Sequence, residues 1–138
     1  MTSVPGKCHC GQIEWTVKLA DQEKSHILCH CDACKIVNGG EFTLNQVIPE
    51  ENFKLEKGEP SKYTYKGDSG NPVHCFFCPT CSTHIYHHQT ALGPKYIIRT
   101  AALAGSKEWP VGAEIYCKDN LKWFPKIAET TFPAAPPS

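Results

Sequence analysis

Seven of the nine cysteines stand in three tight groups: Cys8-His9-Cys10, Cys29-His30-Cys31-Asp32-Ala33-Cys34 and Cys78-Pro79-Thr80-Cys81. A disulfide closed within Cys8-His9-Cys10 or Cys29-His30-Cys31 would be badly strained. Thiols at one- and two-residue gaps read instead as metal ligands. Four thiolates around a zinc ion place neighbouring sulfurs ~3.8 Å apart, whereas residues i and i+2 of an extended strand lie ~6.5–7 Å apart. A C-x-C pair sharing one ion must therefore sit on a sharp bend, which Gly11 after Cys10 permits. Cys8, Cys10, Cys78 and Cys81 together make a closed four-thiolate site with no room for substrate, hence a structural one. The bland alternative leaves Cys8 and Cys10 as free surface thiols. Cys29, Cys31 and Cys34 then offer three ligands and an open position, the pattern of catalytic zinc. Two other readings stand beside it. A fourth ligand from His30, His74, Cys75 or Cys117 would close the site structurally, or the cluster would act as a redox switch.

Three thiolates overcompensate a divalent zinc. Such an ion acidifies water less than a three-histidine zinc does, yet still accepts a soft sulfur and holds it as thiolate. The implied chemistry makes or breaks a bond at a substrate sulfur. His74, His84, His87 and His88 cluster around the third cysteine pair and are candidates for moving its proton, against the plainer reading of most as surface residues. Ser69, Gly70 and Asn71 form a loop whose N–H groups suit a carboxylate, or else a plain hairpin turn. Lys35 is a candidate partner for an anionic substrate, and His74 for a substrate contact. Cys75 and Cys117 read as small buried apolar side chains.

Short strands must carry these groups. Ile13, Trp15, Val17 and Leu19 alternate with polar neighbours over residues 11–19, a half-buried strand. Further strands are expected over 42–48, 53–55, 63–66, 73–77, 84–88, 96–100 and 113–117. Gly67-Asp68-Ser69-Gly70-Asn71-Pro72 is a strong turn. One short helix is expected from Asp32 as its cap through Asn38, ending at Gly39-Gly40. Residues 1–7 read as a flexible lead-in. The fold class is mainly β, a single zinc-binding catalytic domain over residues 1–130, with 131–138 as a disordered tail.

The 138 residues suffice for one core, and Lys plus Arg equals Asp plus Glu. Loading two zinc ions on seven thiolates would bring the charge to about −3, which argues against nucleic acid as a partner. No apolar run approaches the ~20 residues of a membrane span, and residues 1–7 lack a secretory h-region, so a cytoplasmic, reducing setting is expected. A homodimer is compatible with the sequence.

Cys8-His9-Cys10-Gly11, the Cys29–Cys34 group followed by Gly39, and Phe77-Cys78-Pro79-Thr80-Cys81, in this order and spacing, resemble the glutathione-dependent formaldehyde-activating enzyme family, which includes centromere protein V. Weaker matches run through Gly58 to Tyr63, Ser69-Gly70, Ile115-Tyr116-Cys117-Lys118 and Trp123. The resemblance implies an Mss4-like β fold with a structural zinc on Cys8, Cys10, Cys78 and Cys81 and a catalytic zinc on Cys29, Cys31 and Cys34. It implies a carbon–sulfur lyase that joins glutathione and formaldehyde, or cleaves that adduct, with a small-molecule thiol as partner. Three departures concern the pocket. Ser82-Thr83 stands where the family usually has Gly-Ser, Lys35-Ile36 where it has Arg-Lys, and His74-Cys75 where an Arg often precedes Phe-Cys-Pro. Against the enzyme stands a non-catalytic zinc-binding module with two structural sites that docks a protein, or a thiol redox sensor.

Overall fold

The computed structural model describes residues 1–136. Ten strands form two sheets. The smaller sheet joins β1 (Thr2–Lys7), β2 (Glu14–Leu19) and β5 (Phe53–Lys57) in the order β1-β2-β5, antiparallel throughout. The larger sheet runs β10-β3-β4-β9-β8-β7-β6, from β3 (His26–Cys29), β4 (Thr43–Pro49), β6 (Ser61–Lys66), β7 (Pro72–Phe77), β8 (His84–Gln89), β9 (Lys95–Arg99) and β10 (Val111–Ile115). Among the named strands of the described residues, β10 with β3 is the only parallel pair, and an isolated parallel bridge joins Glu114 to Thr131. Short 3-10 turns fill several connections.

Alternation along β2 drives the assembly. Trp15, Val17 and Leu19 all point inward and are buried, as is Ile13 just before the strand. They meet Ile48, Ile85, Ile98 and Leu103 of the larger sheet and its loops. An aromatic group seals one side, with Tyr86 between Phe53, Phe76 and Tyr96 at centroid distances of 4.5, 4.5 and 4.6 Å. The expected mainly β, Mss4-like architecture is what the chain adopts.

Four local expectations change. The strand expected from Gly11 begins at Glu14, because Gly11 N–H donates to Cys8 C=O and Cys8 N–H to Ile13 C=O, folding residues 8–13 into a turn. The lead-in of residues 1–7 is instead strand β1. Pro5 and Gly6 hide it from a propensity reading, yet β1 lies at the edge of its sheet, where a missing N–H is tolerated. Gly6 pairs directly with Trp15, and a Cβ at Gly6 would fall against the indole atoms Nε1 and Cε2. The helix α1 (Asp32–Asn38) is capped by Cys31 rather than Asp32, its sulfur accepting the N–H of Cys34. Finally, part of the tail expected to be disordered is hydrogen-bonded. Phe132 N–H donates to Glu114 C=O, and Cys117 and Tyr116 donate to Phe132 and Ala134. Residues 137 and 138 lie outside the described residues.

Because the Trp15 ring occupies the space above Gly6, Gly6→Ala is expected to destabilise the fold by about 1–3 kcal/mol, read as a lower denaturant midpoint with unchanged m-value.

Candidate metal centre

Two turns of the same build bring the first four sulfurs together. Cys8 N–H donates to Ile13 C=O and Cys78 N–H donates to Thr83 C=O, so each cysteine opens a tight loop closed five residues later. Gly11 takes φ +81° in the first loop, and Ser82 takes φ +64° at its counterpart in the second. A glycine would hold that left-handed conformation without strain, and serine does so at a cost of about 1–2 kcal/mol. The sulfurs of Cys8, Cys10, Cys78 and Cys81 lie within 4.8 Å of one another. Cys8–Cys10 and Cys10–Cys78 separations are 3.6 and 3.7 Å, close to the ~3.8 Å edge of a four-thiolate tetrahedron. Backbone N–H groups already point at this sulfur set, from Ile13 to Cys8 at 3.3 Å and from Cys81 to Cys78 at 3.5 Å. Thr83 accepts the His9 N–H, and its hydroxyl lies 3.2 Å from the Cys81 sulfur. That hydroxyl is the main reason the Cys81 thiol is pulled down to about 5, with the Cys10 backbone contributing next.

The second cluster straddles the β3–α1 junction. Cys29 ends β3, Cys31 caps α1 and Cys34 sits in its first turn. Their sulfurs also lie within 4.8 Å of one another, and Cys29 and Cys34 are 3.8 Å apart. The three share protons unequally. Hydrogen bonds from Cys29 and Cys31, and then the Arg99 charge, hold Cys34 deprotonated. The same contacts, with Cys31 and Cys34 as acceptors and burial added, push Cys29 far upward. A divalent ion would displace the remaining protons. Both donor sets fit a thiophilic metal in spacing and chemistry.

Among the described residues, no fourth His, Cys, Asp or Glu joins the Cys29–Cys31–Cys34 group. The four residues able to close it are placed elsewhere. His30 points away, its Nε2 lying 2.8 Å from Glu114 Oε1, in a separate group with Cys117. Glu114 Oε2 accepts the N–H groups of Ile127 and Ala128, each at 2.8 Å. These bonds with His30 outweigh the burial that opposes them and lower the Glu114 pKa. His74 meets Thr64 Oγ1 at 2.7 Å, on the side of β7 opposite Cys75. Cys75 is buried on β7, and that burial raises its thiol.

The alternation of the larger sheet determines what surrounds the cluster. Cys75 pairs with His87, His87 with Ile97, and Arg99 follows two residues on, opposite Asn45. These side chains share the sheet face away from the Trp15 core. Arg99 Nη1 donates to His87 Nδ1 at 3.0 Å and to Asn45 Oδ1. Because Nδ1 accepts, the neutral His87 ring carries its proton on Nε2. Burial, then the Arg99 charge, holds His87 down at about 3. Of the expected histidines, His84 reaches open space. It lines a cavity of about 360 Å³ with Val37, Tyr63, Phe77 and Ser82, and an adjoining one of about 330 Å³ that includes Thr43, Thr83 and Arg99. Burial and Arg99 lower its pKa from the usual histidine value.

The remaining candidates are engaged otherwise. Lys35 Nζ pairs with Asp32 at 2.9 Å and donates to the Asp119 carbonyl. Ser69 and Gly70 sit in an exposed hairpin turn, with Gly70 N–H donating to Gly67 C=O and Ser69 Oγ accepting from Asn71 N–H. The sequence singles out neither Arg99 nor Asn45, and Tyr116 enters there only within a weak family match. The signal for Arg99 was present, a charge after Ile97-Ile98 and the only arginine of the chain. Tyr116 adopts φ +55°, uncommon for a bulky residue. Burial, then Asp68 and the thiolates of Cys31 and Cys29, push its hydroxyl up to about 12.

The family described as glutathione-dependent formaldehyde-activating enzyme matches residues 3–119. A crystal structure of a Rhodobacter sphaeroides protein is similar in fold, with a TM-score of 0.60 at 19% identity, covering 93% of this chain and 98% of that one.

The depressed His87 has a consequence for stability. Between pH 3 and 6.5 the unfolded chain binds a proton there that the folded chain refuses, so stability rises with pH. His87→Gln is expected to flatten this dependence by up to about 1.4 kcal/mol per pH unit, measured as denaturant midpoints of both proteins across that range.

Proposed function

The chain belongs to the glutathione-dependent formaldehyde-activating enzyme family, and from that premise we propose that it is a zinc-dependent carbon–sulfur lyase acting on glutathione or a related thiol adduct. One observation carries the reading: the Cys29–Cys31–Cys34 group has three sulfurs and no fourth protein ligand among the described residues. The proposed enzyme is a single domain over residues 1–130, with a structural ion on Cys8, Cys10, Cys78 and Cys81. No helix is long and apolar enough to cross a membrane; a cytoplasmic setting is part of the proposal.

Zinc at the three-cysteine group would supply a thiophilic position that holds the substrate sulfur as thiolate. The protein's own groups do the rest. Cys29, Cys31 and Cys34 are held by a strand end and a helix cap, so their spacing is set before substrate arrives. In the forward direction the thiol sulfur attacks the aldehyde carbon, one C–S bond forms, and the thiol proton ends on the former carbonyl oxygen. His84, neutral at physiological pH and facing both cavities, takes that proton and returns it. The reverse path breaks the C–S bond and releases thiol and aldehyde. Phe77, stacked on His84 with centroids 6.0 Å apart, restrains the ring.

Metal analysis of the purified protein is expected to give two zinc ions per chain. Cys34→Ser is expected to lower that to about one while preserving the β circular-dichroism signature and abolishing the acceleration of adduct formation over the spontaneous reaction. A variant that kept turnover would overturn the metal-centred mechanism. His84→Gln is expected to keep both ions and lower kcat by about 10²-fold or more. In the parent the acid limb of the pH–rate profile should lie below pH 6.5 and vanish in this variant.

A further inference from the structure

Arg99 poses a problem that the zinc sites leave open. It is 7% exposed, and its Nη1 bonds go to two neutral acceptors, Asn45 Oδ1 and His87 Nδ1. Its Nε is buried with no hydrogen-bond partner. Among the described residues, no carboxylate forms an ion pair with it. A cation out of water requires an anion close by, or its desolvation is uncompensated; the Cys34 thiolate meets part of that need through space, but neither Arg99 hydrogen bond goes to it. His87 supplies no negative charge, and as an acceptor from Arg99 its ring is neutral. Asn45 is itself committed, its amide donating to Thr43 Oγ1 at 2.9 Å and to the Ile27 carbonyl at 3.3 Å. The guanidinium is thus braced from one side by a neutral network, while the residue lines the cavity of about 330 Å³ shared with Thr43, Thr83 and His84.

We propose that this cavity is a carboxylate subsite, with Arg99 as its cation, and that it selects thiol substrates bearing a carboxylate over neutral thiols. A guanidinium presents paired N–H donors in the plane that a carboxylate matches, which a lysine ammonium cannot reproduce. Burial strengthens the pairing, because little water competes for either partner. Thr43, whose Oγ1 accepts from the Asn45 amide, offers its O–H at the cavity wall for a remaining oxygen lone pair, while the Thr83 O–H is directed at Cys81. Asn45 and His87 are positioning residues: they orient Arg99 without themselves supplying charge. The subsite rests on the metal-centred reading above, since the substrate sulfur is taken to sit at the three-cysteine group.

The test uses zinc-loaded protein and three mercapto acids of increasing length, thioglycolate, 3-mercaptopropionate and 4-mercaptobutyrate, each against its own amide. Calorimetry should show at least one acid binding about tenfold more tightly than its amide. Arg99→Met should erase that ratio while leaving amide binding within about threefold. Arg99→Lys, which keeps a cation where the methionine variant risks misfolding, should retain only part of it; zinc content is measured for each protein. Equal binding of acid and amide at every length by the parent would overturn the subsite alone, and would assign Arg99 to balancing the thiolate cluster. A preference that survives in Arg99→Met would overturn it too. If no thiol binds the loaded parent, the metal-centred reading falls, and the subsite with it.

Discussion

Four sulfurs from residues 8, 10, 78 and 81 meet at one point, and most of the architecture depends on that meeting. Cys8 and Cys10 lie between β1 and β2 of the small sheet, while Cys78 and Cys81 lie between β7 and β8 of the large one. A shared ion would therefore staple one sheet to the other and close a loop of some seventy residues, the kind of closure that gains most from a cross-link. Each half of the staple is preformed by a backbone loop whose N–H groups are directed at sulfur. Little rearrangement would be needed when metal arrives. The adjoining core, with Trp15 over Gly6, is small and gains from such a staple.

The period of two along the large sheet separates stability from chemistry. On one face Ile98 and Ile48 are fully buried in the core shared with the small sheet, with Tyr86 partly buried beside them. On the other, Cys75, His87, Arg99 and Asn45 form a buried polar row beside the second cysteine cluster. A shift of one residue in any of these strands would exchange the two sets. The apolar face consequently secures the register on which the polar face depends.

Much of the site was legible because cysteine spacing is a local property. The C-x-C and C-x-x-C groups, Gly11 after Cys10, and the short helix from residue 32 to 38 could all be read from neighbours in the chain. Alternation at Ile13, Trp15, Val17 and Leu19 was equally direct. Strand β1 was not legible, because Pro5 and Gly6 argue locally against a strand, and only the edge position and the Trp15 ring opposite make them suitable. The hydrogen-bonding of 131–134 was hidden for a related reason: a proline-rich segment looks unstructured until β10 and the turn after it supply partners.

What the amino-acid order determined by itself is the inventory of ligands, their local spacing, and the mainly β pattern that carries them. Tertiary structure alone decided which histidine faces the cavity, why Lys35 is tied to Asp32 and the Asp119 carbonyl, and that His30 turns to Glu114 eighty-four residues away. It also decided that Arg99 is a buried cation held by neutral partners. The physical reason is range. Covalent geometry fixes the distance between sulfurs a few residues apart, whereas desolvation and charge pairing depend on which strands lie side by side, and that is settled only when the whole sheet has formed.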